Sequence, residues 1–135
     1  MIVSTRGRYA LLVMIDLAER GGDGYTPLQE IADRQGISEK YLESIIKLLT
    51  GGKLLAALRG KGGGYKLTKP PEAYSIGEIL RLTEGSLAPV SCIGGESCAR
   101  EGTCRTCAMW EKLDRMVNGY FDSITLADLV NGFEG

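Results

Sequence analysis

The pattern that most constrains the fold is a pair of short amphipathic segments separated by one glycine. The first runs from about Thr26 to Gly36, and the second, SEKYLESIIKLLTGG, starts at Ser38. Thr26 is expected to cap the first helix, with Pro27 at its first position and Gln29 completing a capping box. Ser38 is the expected N-cap of the second helix. Two helices joined by so tight a break predict a helix-turn-helix.

The next segment, LLAALRGKGGGYKL, predicts a β-hairpin, because two short apolar strands flank a glycine-rich turn. Arg59 and Lys61 lie near its tip, where the hairpin would form a wing. Helical spacing also predicts a helix over residues 5–20. A capping box of Ser75 and Glu78 opens another helix, which ends at Gly85.

A long helix is predicted over residues 105–122, and Thr125 is expected to cap a short terminal helix. One apolar stripe follows the long helix in steps of three and four and is formed by Trp110, Leu113, Val117, Tyr120, Phe121 and Ile124. Such a stripe is too broad and apolar for an exposed helix, so we expect it to pack in a dimer or, alternatively, against the chain's own domain. The predicted fold is mostly α with a small β-hairpin, a winged helix-turn-helix DNA-binding domain plus a long C-terminal dimerisation helix.

The length of 135 residues suits one core domain and one appended element. Residues 1–70 carry eleven Lys and Arg against seven Asp and Glu, a net charge of +4. Residues 71–135 carry five against ten, a net charge of −5. A basic first half fits a polyanionic partner such as DNA, although chance clustering on a solvated surface explains it equally well.

No apolar run approaches the ~20 residues that cross a bilayer. No small-residue cleavage pattern follows the apolar patch near the N-terminus, so a signal peptide is not expected. We therefore expect a cytoplasmic protein without membrane association, whose cysteines meet a reducing environment.

The second helix of the motif presents polar side chains on the face turned away from its apolar stripe, namely Ser38, Lys40, Tyr41, Glu43, Ser44 and Lys47. Lysine, serine and tyrosine can donate to phosphates, whereas a glutamate near DNA needs a compensating donor such as cytosine N4. Arg59 can enter a minor groove, and Gly60 lets the wing backbone approach a partner closely. The alternative is an ordinary solvated helix and hairpin.

Four cysteines lie in VSCIGGESCAREGTCRTCAMW with the spacing C-x5-C-x5-C-x2-C, at Cys92, Cys98, Cys104 and Cys107. An iron–sulfur cluster is favoured, since a flexible loop can supply its four thiolates at irregular spacing. A structural zinc site is an alternative. Zinc sites usually contain two close pairs of cysteines, and here only Cys104 and Cys107 form such a pair. A redox pair of Cys104 and Cys107 also remains open, although no βαβ unit accompanies it.

The chain resembles the IscR-type winged-helix transcription regulators over nearly its whole length. The resemblance is carried by the segments STRGRYAL, EIADRQGISEKYLESI, RGKGGGYKL, IGEILRLTEG and SITLADLV together with the cysteine loop. It implies a homodimer with cross-packed C-terminal helices. It also implies that Glu43 and Arg59 are base-reading and minor-groove residues and that Cys92, Cys98 and Cys104 ligate a cluster. Arg6 and Lys61 complete the set of residues that we expect to contact DNA.

The chain departs from this family at the fourth ligand. In the closest branch a histidine fills the position that Cys107 occupies here, and this chain contains no histidine. Related nitric-oxide sensors use an N-terminal carboxylate where this chain has Arg8. An all-cysteine [2Fe–2S] centre is therefore favoured and [4Fe–4S] is possible. The extra negative thiolate should lower the reduction potential.

Together these observations predict a homodimeric, cytoplasmic transcription regulator that binds a pseudo-palindromic double-stranded DNA operator. Residues 1–85 would bind DNA, residues 86–107 would hold the cluster, and residues 108–135 would dimerise. The chain is not expected to be an enzyme. The alternatives are a zinc-stabilised or thiol-switch regulator and, less favoured, a thiol–disulfide oxidoreductase.

Overall fold

The computed structural model describes residues 3–93 and 102–134, so Cys98 lies outside the described residues. Within them the chain forms six α-helices and one two-stranded antiparallel sheet. In chain order the elements are α1 (Thr5–Arg20), α2 (Leu28–Gln35), α3 (Glu39–Gly51), β1 (Leu55–Leu58), β2 (Gly64–Leu67), α4 (Ile76–Glu84), α5 (Cys107–Asp122) and α6 (Leu126–Val130). A 3-10 turn, Pro71–Ala73, precedes α4.

Three predicted helix starts are confirmed by their side-chain caps. The Ser38 hydroxyl accepts a hydrogen bond from the Tyr41 backbone N–H at 3.2 Å. Ser75 and Glu78 form the reciprocal capping box that opens α4. Thr125 opens α6 in the same way. Each cap satisfies backbone donors that the first helical turn cannot pair internally.

The predicted cap at Thr26 is wrong. The helix starts at Leu28 after Pro27, without a side-chain cap. The backbone of Thr26 instead exchanges two hydrogen bonds with Tyr65, with N–O distances of 2.9 and 2.8 Å. Thr26 is buried and extends the sheet by an isolated antiparallel bridge. Long-range pairing with the hairpin thus displaces the local capping box that the sequence pattern suggested.

The core is built around α1, which contacts α2, α3, α4, α6 and β2. Its buried residues include Ala10, Val13, Met14 and Leu17. The predicted stripe of α3 is confirmed and is fully packed into the same core, with Leu42, Ile45, Ile46 and Leu49 all buried. Each such side chain stabilises the fold by roughly 1.5–3 kcal/mol relative to exposure to water. The polar face of α3 is thereby left to solvent.

The hairpin is confirmed, with β1 and β2 antiparallel and paired from Leu55 opposite Leu67 to Leu58 opposite Gly64. Gly60 and Gly62 have φ values of 94° and 78°, which residues other than glycine rarely adopt. The hairpin base is tied to α4 by Tyr74. Its buried hydroxyl donates to the Leu54 carbonyl at 2.7 Å and accepts from the Thr68 N–H at 2.8 Å.

The long helix α5 begins two residues later than predicted and packs against α4. None of its residues is buried. Val117 and Phe121 are half-buried against the core. Trp110 is half-buried as well. The exposed fraction is 54% for Met109, 38% for Leu113, 60% for Met116 and 52% for Tyr120. None of the helices in the described ranges is long and apolar enough to cross a membrane.

Candidate nucleic-acid interface and cysteine segment

The polar face of α3 and the wing form the two sides of one groove of about 800 Å³. Six of the residues predicted to contact DNA line it, and they are Lys40, Glu43, Ser44, Lys47, Arg59 and Gly60. Four come from α3 and two from the turn between β1 and β2, which are brought together because α3 contacts β1. The structure therefore joins α3 and the wing, which are separate segments of the sequence, into one continuous surface.

The groove carries three cations and one carboxylate on exposed side chains. Lys40 and Lys47 lie seven residues apart, or two helical turns, so they point to the same side of α3. Glu43 lies between them. Phosphates can pair with the two lysines, while the carboxylate can accept from a base donor such as cytosine N4. The arrangement suits a polyanion that also offers hydrogen-bond donors.

Four predicted contact residues do not line the groove. Ser38 caps α3 through its side-chain oxygen. Tyr41 is half-buried, and its ring lies edge-on to Tyr9 at a centroid distance of 6.0 Å. Lys61 is exposed at the wing turn. The Arg6 guanidinium donates to the Thr83 carbonyl at 3.0 Å, a contact between residues 77 positions apart that local pattern could not reveal.

Sequence reasoning missed the apolar part of the groove. Pro27, Leu28, Ala57 and Leu58 also line it. Leu58 is 48% exposed because its cross-strand neighbour is Gly64, which has no side chain to cover it. Leu58, the last residue of β1, could have been recognised in the sequence as an apolar residue beside Arg59. The position of Leu28 depends on how α2 packs, and no local signal gives it.

A buried ion pair fixes α2 against α1. Asp16, 3% exposed, accepts two hydrogen bonds from the Arg34 Nε, at 3.2 and 3.0 Å, and one from Nη2 at 2.7 Å. Gln35 adds a hydrogen bond of 2.9 Å. Burial raises the pKa of Asp16, but the hydrogen bonds from Arg34 and Gln35 and the positive charge of Arg34 outweigh it, so the pKa lies below its ordinary value. No local sequence pattern predicted this ion pair.

The described cysteines lie at both ends of the segment between α4 and α5. Cys92, Cys104 and Cys107 are half-buried, and Cys107 is the first residue of α5. The Cys104 sulfur lies 3.1 Å from the Thr106 hydroxyl. The Cys107 thiol donates to the Glu111 carboxylate at 3.5 Å. This hydrogen bond raises the pKa of Cys107, and the charges of Glu111, Cys104 and Cys92 raise it further.

The donor chemistry of this segment fits an iron–sulfur cluster, which is held by thiolates. In the part of the chain that the structure describes, however, no three Cys, His, Asp or Glu side chains converge on a common point. The complete predicted ligand set includes Cys98, which lies outside that part.

Comparison with known proteins identifies the family. The family model for Rrf2, described as an iron-dependent transcriptional regulator, matches residues 3–132. The chain belongs to the Rrf2 family. It is 38% identical over 131 residues to the HTH-type transcriptional regulator IscR of Yersinia pseudotuberculosis, a match covering 97% of this chain and 80% of that protein.

Two solved structures resemble this one closely. CymR, the global cysteine regulator of B. subtilis, is 36% identical with a TM-score of 0.82, and the match covers 99% of both chains. The IscR of T. potens is 36% identical with a TM-score of 0.78, covering 99% of this chain and 89% of that one. The winged-helix fold and the expectation of a non-enzymatic, DNA-binding transcription regulator are thereby confirmed.

Proposed function

We propose that the chain is a homodimer that binds a pseudo-palindromic DNA operator and senses iron–sulfur cluster supply or redox or nitrosative status through a cysteine-ligated cluster. Residues 1–85 would read DNA, residues 86–107 would hold the cluster, and residues 108–135 would dimerise. The observation that carries the proposal is the groove in which α3 and the wing present Lys40, Glu43, Lys47 and Arg59 together.

In the proposed complex α3 enters the major groove, which is wide enough for one helix. Lys40 and Lys47 pair with phosphates on either side of it, and Glu43 accepts from a cytosine. Arg59 enters the adjacent minor groove, where a narrow A-tract concentrates negative potential. This division of roles is supported by the position of Arg59 on the opposite side of the same groove from Glu43.

Dimerisation is supported by the solvent-facing side of α5. The four exposed apolar residues are spaced by four, three and four, and they form a seam made of Met109, Leu113, Met116 and Tyr120. This spacing is the one that lets helices pack side by side. The seam keeps Leu113 and Tyr120 of the stripe predicted from the sequence, whereas Val117 and Phe121 pack on the core. A two-fold axis along the seam would predict paired half-sites.

The cluster would be held by Cys92, Cys98, Cys104 and Cys107, as [2Fe–2S] or alternatively [4Fe–4S]. When bound it supplies a redox-active iron centre. Cys107 must lose its proton to ligate, and in doing so it releases Glu111. Because Cys107 begins α5 and Cys92 follows α4, ligation would fix the first turn of α5 relative to the end of α4.

Zinc and a thiol switch are the remaining candidates for the same cysteines. The raised pKa of Cys107 does not separate these candidates, since a metal ligand and a reactive thiol both require the thiolate. Iron, sulfide and zinc analysis of anaerobically purified protein, with absorption and Mössbauer spectra, distinguishes the three. Stoichiometric iron and sulfide are expected. Zinc without iron would indicate a structural metal, and metal-free protein with reversible dithiol oxidation would indicate the switch.

The regulatory part of the proposal is tested by footprinting one operator with the cluster-loaded and the cluster-free protein. The operator is obtained by selecting random duplexes with the anaerobically purified chain. We expect the two forms to differ in affinity or in the length of the footprint. Equal affinity and identical footprints would contradict cluster sensing but would leave the DNA-binding role intact.

A further inference from the structure

We propose that Arg81 is a positioning residue, which fixes the angle at which α5 leaves the rest of the molecule and so sets the half-site spacing that a dimer accepts. The inference rests on the dimeric DNA binding proposed above. It assigns to Arg81 a role in operator geometry without any contact to DNA.

The Arg81 guanidinium joins α4 to α5 through two different residues. Its Nη1 donates to the Asn118 side-chain oxygen at 3.0 Å, and its Nη2 donates to the Asp122 carboxylate at 2.6 Å. Asn118 is itself held by Asp114, whose backbone and side-chain oxygens accept from its amide at 2.9 and 3.1 Å. A planar guanidinium that meets two fixed acceptors one helical turn apart defines an orientation, which a single point contact cannot.

Gly77 makes this contact possible. A Cβ built on Gly77 would collide with the Asp122 carboxylate and would lie 3.0 Å from both terminal nitrogens of Arg81. Glycine weakens a helix interior relative to alanine. Here it leaves the space above the α4 backbone in which the guanidinium and the carboxylate meet. Gly77 therefore leaves room for the ion pair where α4 packs against α5, although both side chains stay half-exposed.

The anchor lies at one end of α5 and the cysteines at the other. Beyond Asp122 the chain is also tied to α4 by the Ile76 N–H, which donates to the Ile124 carbonyl at 2.9 Å. Cys107 begins the helix eleven residues before Asn118, a distance of about 16 Å at the rise of an α-helix. The α5 helix is thus fixed to α4 near Arg81 at one end and is joined to the cysteine segment at the other end.

The exposed seam and the Arg81 anchor lie on different sides of α5. Asn118 is half-buried beside the half-buried Val117 and Phe121, whereas Met116 and Tyr120 are exposed. Removing the anchor should consequently spare dimerisation. It should also cost little stability, because the ion pair is half-exposed, with side-chain exposures of 38% and 47%. Removal of the anchor should instead increase the freedom of each DNA-binding unit to move relative to the two paired α5 helices.

The test compares Arg81→Gln with Lys69→Gln in the full-length chain. Lys69 is a matched control, because it forms an ion pair of 2.9 Å with Glu78 of α4, is similarly exposed, and does not reach α5. Both variants and the unmodified protein are titrated, with and without cluster, onto the selected operator. The duplexes carry the selected spacing, one base pair more, one base pair fewer, or a single half-site.

We expect Arg81→Gln to remain dimeric and to bind the single half-site normally. Its preference for the selected spacing over the altered spacings should fall by about three- to tenfold, as expected if two weak ion pairs per dimer are lost. Lys69→Gln should keep the full preference. Gly77→Ala, which displaces Asp122 by a different route, should reproduce the loss, provided that its circular dichroism spectrum is unchanged.

An unchanged spacing preference in a dimeric Arg81→Gln protein would overturn the inference. Dissociation of this variant into monomers would overturn it as well, because the anchor would then act on assembly and not on angle. If the unmodified chain is monomeric or selects no paired half-sites, the proposed function fails instead. The two failures are therefore distinguishable in the same experiment.

Discussion

At the scale of single residues, Glu43 is the position on which base preference should depend. A carboxylate is repelled by phosphates, so Glu43 needs a compensating donor when it faces DNA between Lys40 and Lys47, and a base such as cytosine can supply it. We expect Glu43→Ala to relax preference at one base pair per half-site by about 1–3 kcal/mol. Competition binding with operators mutated at each position measures this change.

Glu39 provides the control, since it is an exposed glutamate in the first turn of the same helix but does not line the groove. Glu39→Ala should leave the base preference unaltered. A Glu43→Ala protein that bound every sequence less tightly, with unchanged ratios between sequences, would exclude a base-reading role for Glu43.

Asp16 makes the stability of the fold dependent on acid. Its pKa in the folded protein lies below the ordinary value of 3.8, because hydrogen bonds and charge from Arg34, with a hydrogen bond from Gln35, outweigh the effect of burial. The stabilisation that ionised Asp16 provides is therefore complete when the pH is above that ordinary pKa. It is lost as the pH falls through the lower pKa of the folded protein. Urea unfolding between pH 6 and about pH 2 should show this loss.

The matched variant is Asp16→Asn. It should be less stable at neutral pH by about 2 kcal/mol, since charge-assisted hydrogen bonds from Arg34 are weakened. It should also lose less stability in acid than the unmodified chain does. Parallel acid profiles for the two proteins would mean that other carboxylates dominate the acid response.

At the scale of elements, α5 should behave as the dimer interface. Leu113→Glu places a charge in the middle of the exposed seam, where it would be buried against its symmetry mate. We expect monomers in analytical ultracentrifugation and retained binding to a single half-site. Lys112→Glu changes the charge at the neighbouring exposed position outside the seam and should leave the dimer intact.

At the scale of the whole molecule, salt dependence should report the number of reading units on the DNA. The logarithm of the binding constant K falls linearly with the logarithm of the salt concentration. Each lost phosphate contact lowers the steepness of this fall, called the slope below, by about 1. Lys47→Ala should therefore lower the slope by about 2 in the dimer and by about 1 in the Leu113→Glu background. Equal changes in both backgrounds would contradict simultaneous binding by two subunits.

The sequence alone determined the elements that depend on neighbouring residues. Ser38, Ser75 and Thr125 mark helix starts because a cap bonds to a backbone N–H three positions away. The α3 stripe and the glycine turn of the wing are equally local, since period and φ are properties of a short segment. Six of the ten predicted contact residues line one groove, but α3 and the wing meet there only because α3 contacts β1 in the folded chain.

Only the tertiary structure decided which local option was used. Thr26 pairs with Tyr65 and does not cap α2, and Arg6 donates to Thr83 away from the groove. The apolar stripe of α5 was visible in the sequence, yet its division into a packed side and an exposed seam depends on where α4 lies. The Arg81 anchor joins residues 37 and 41 positions apart. Contacts of this kind form when distant segments bury a shared core, and no short sequence window contains both partners.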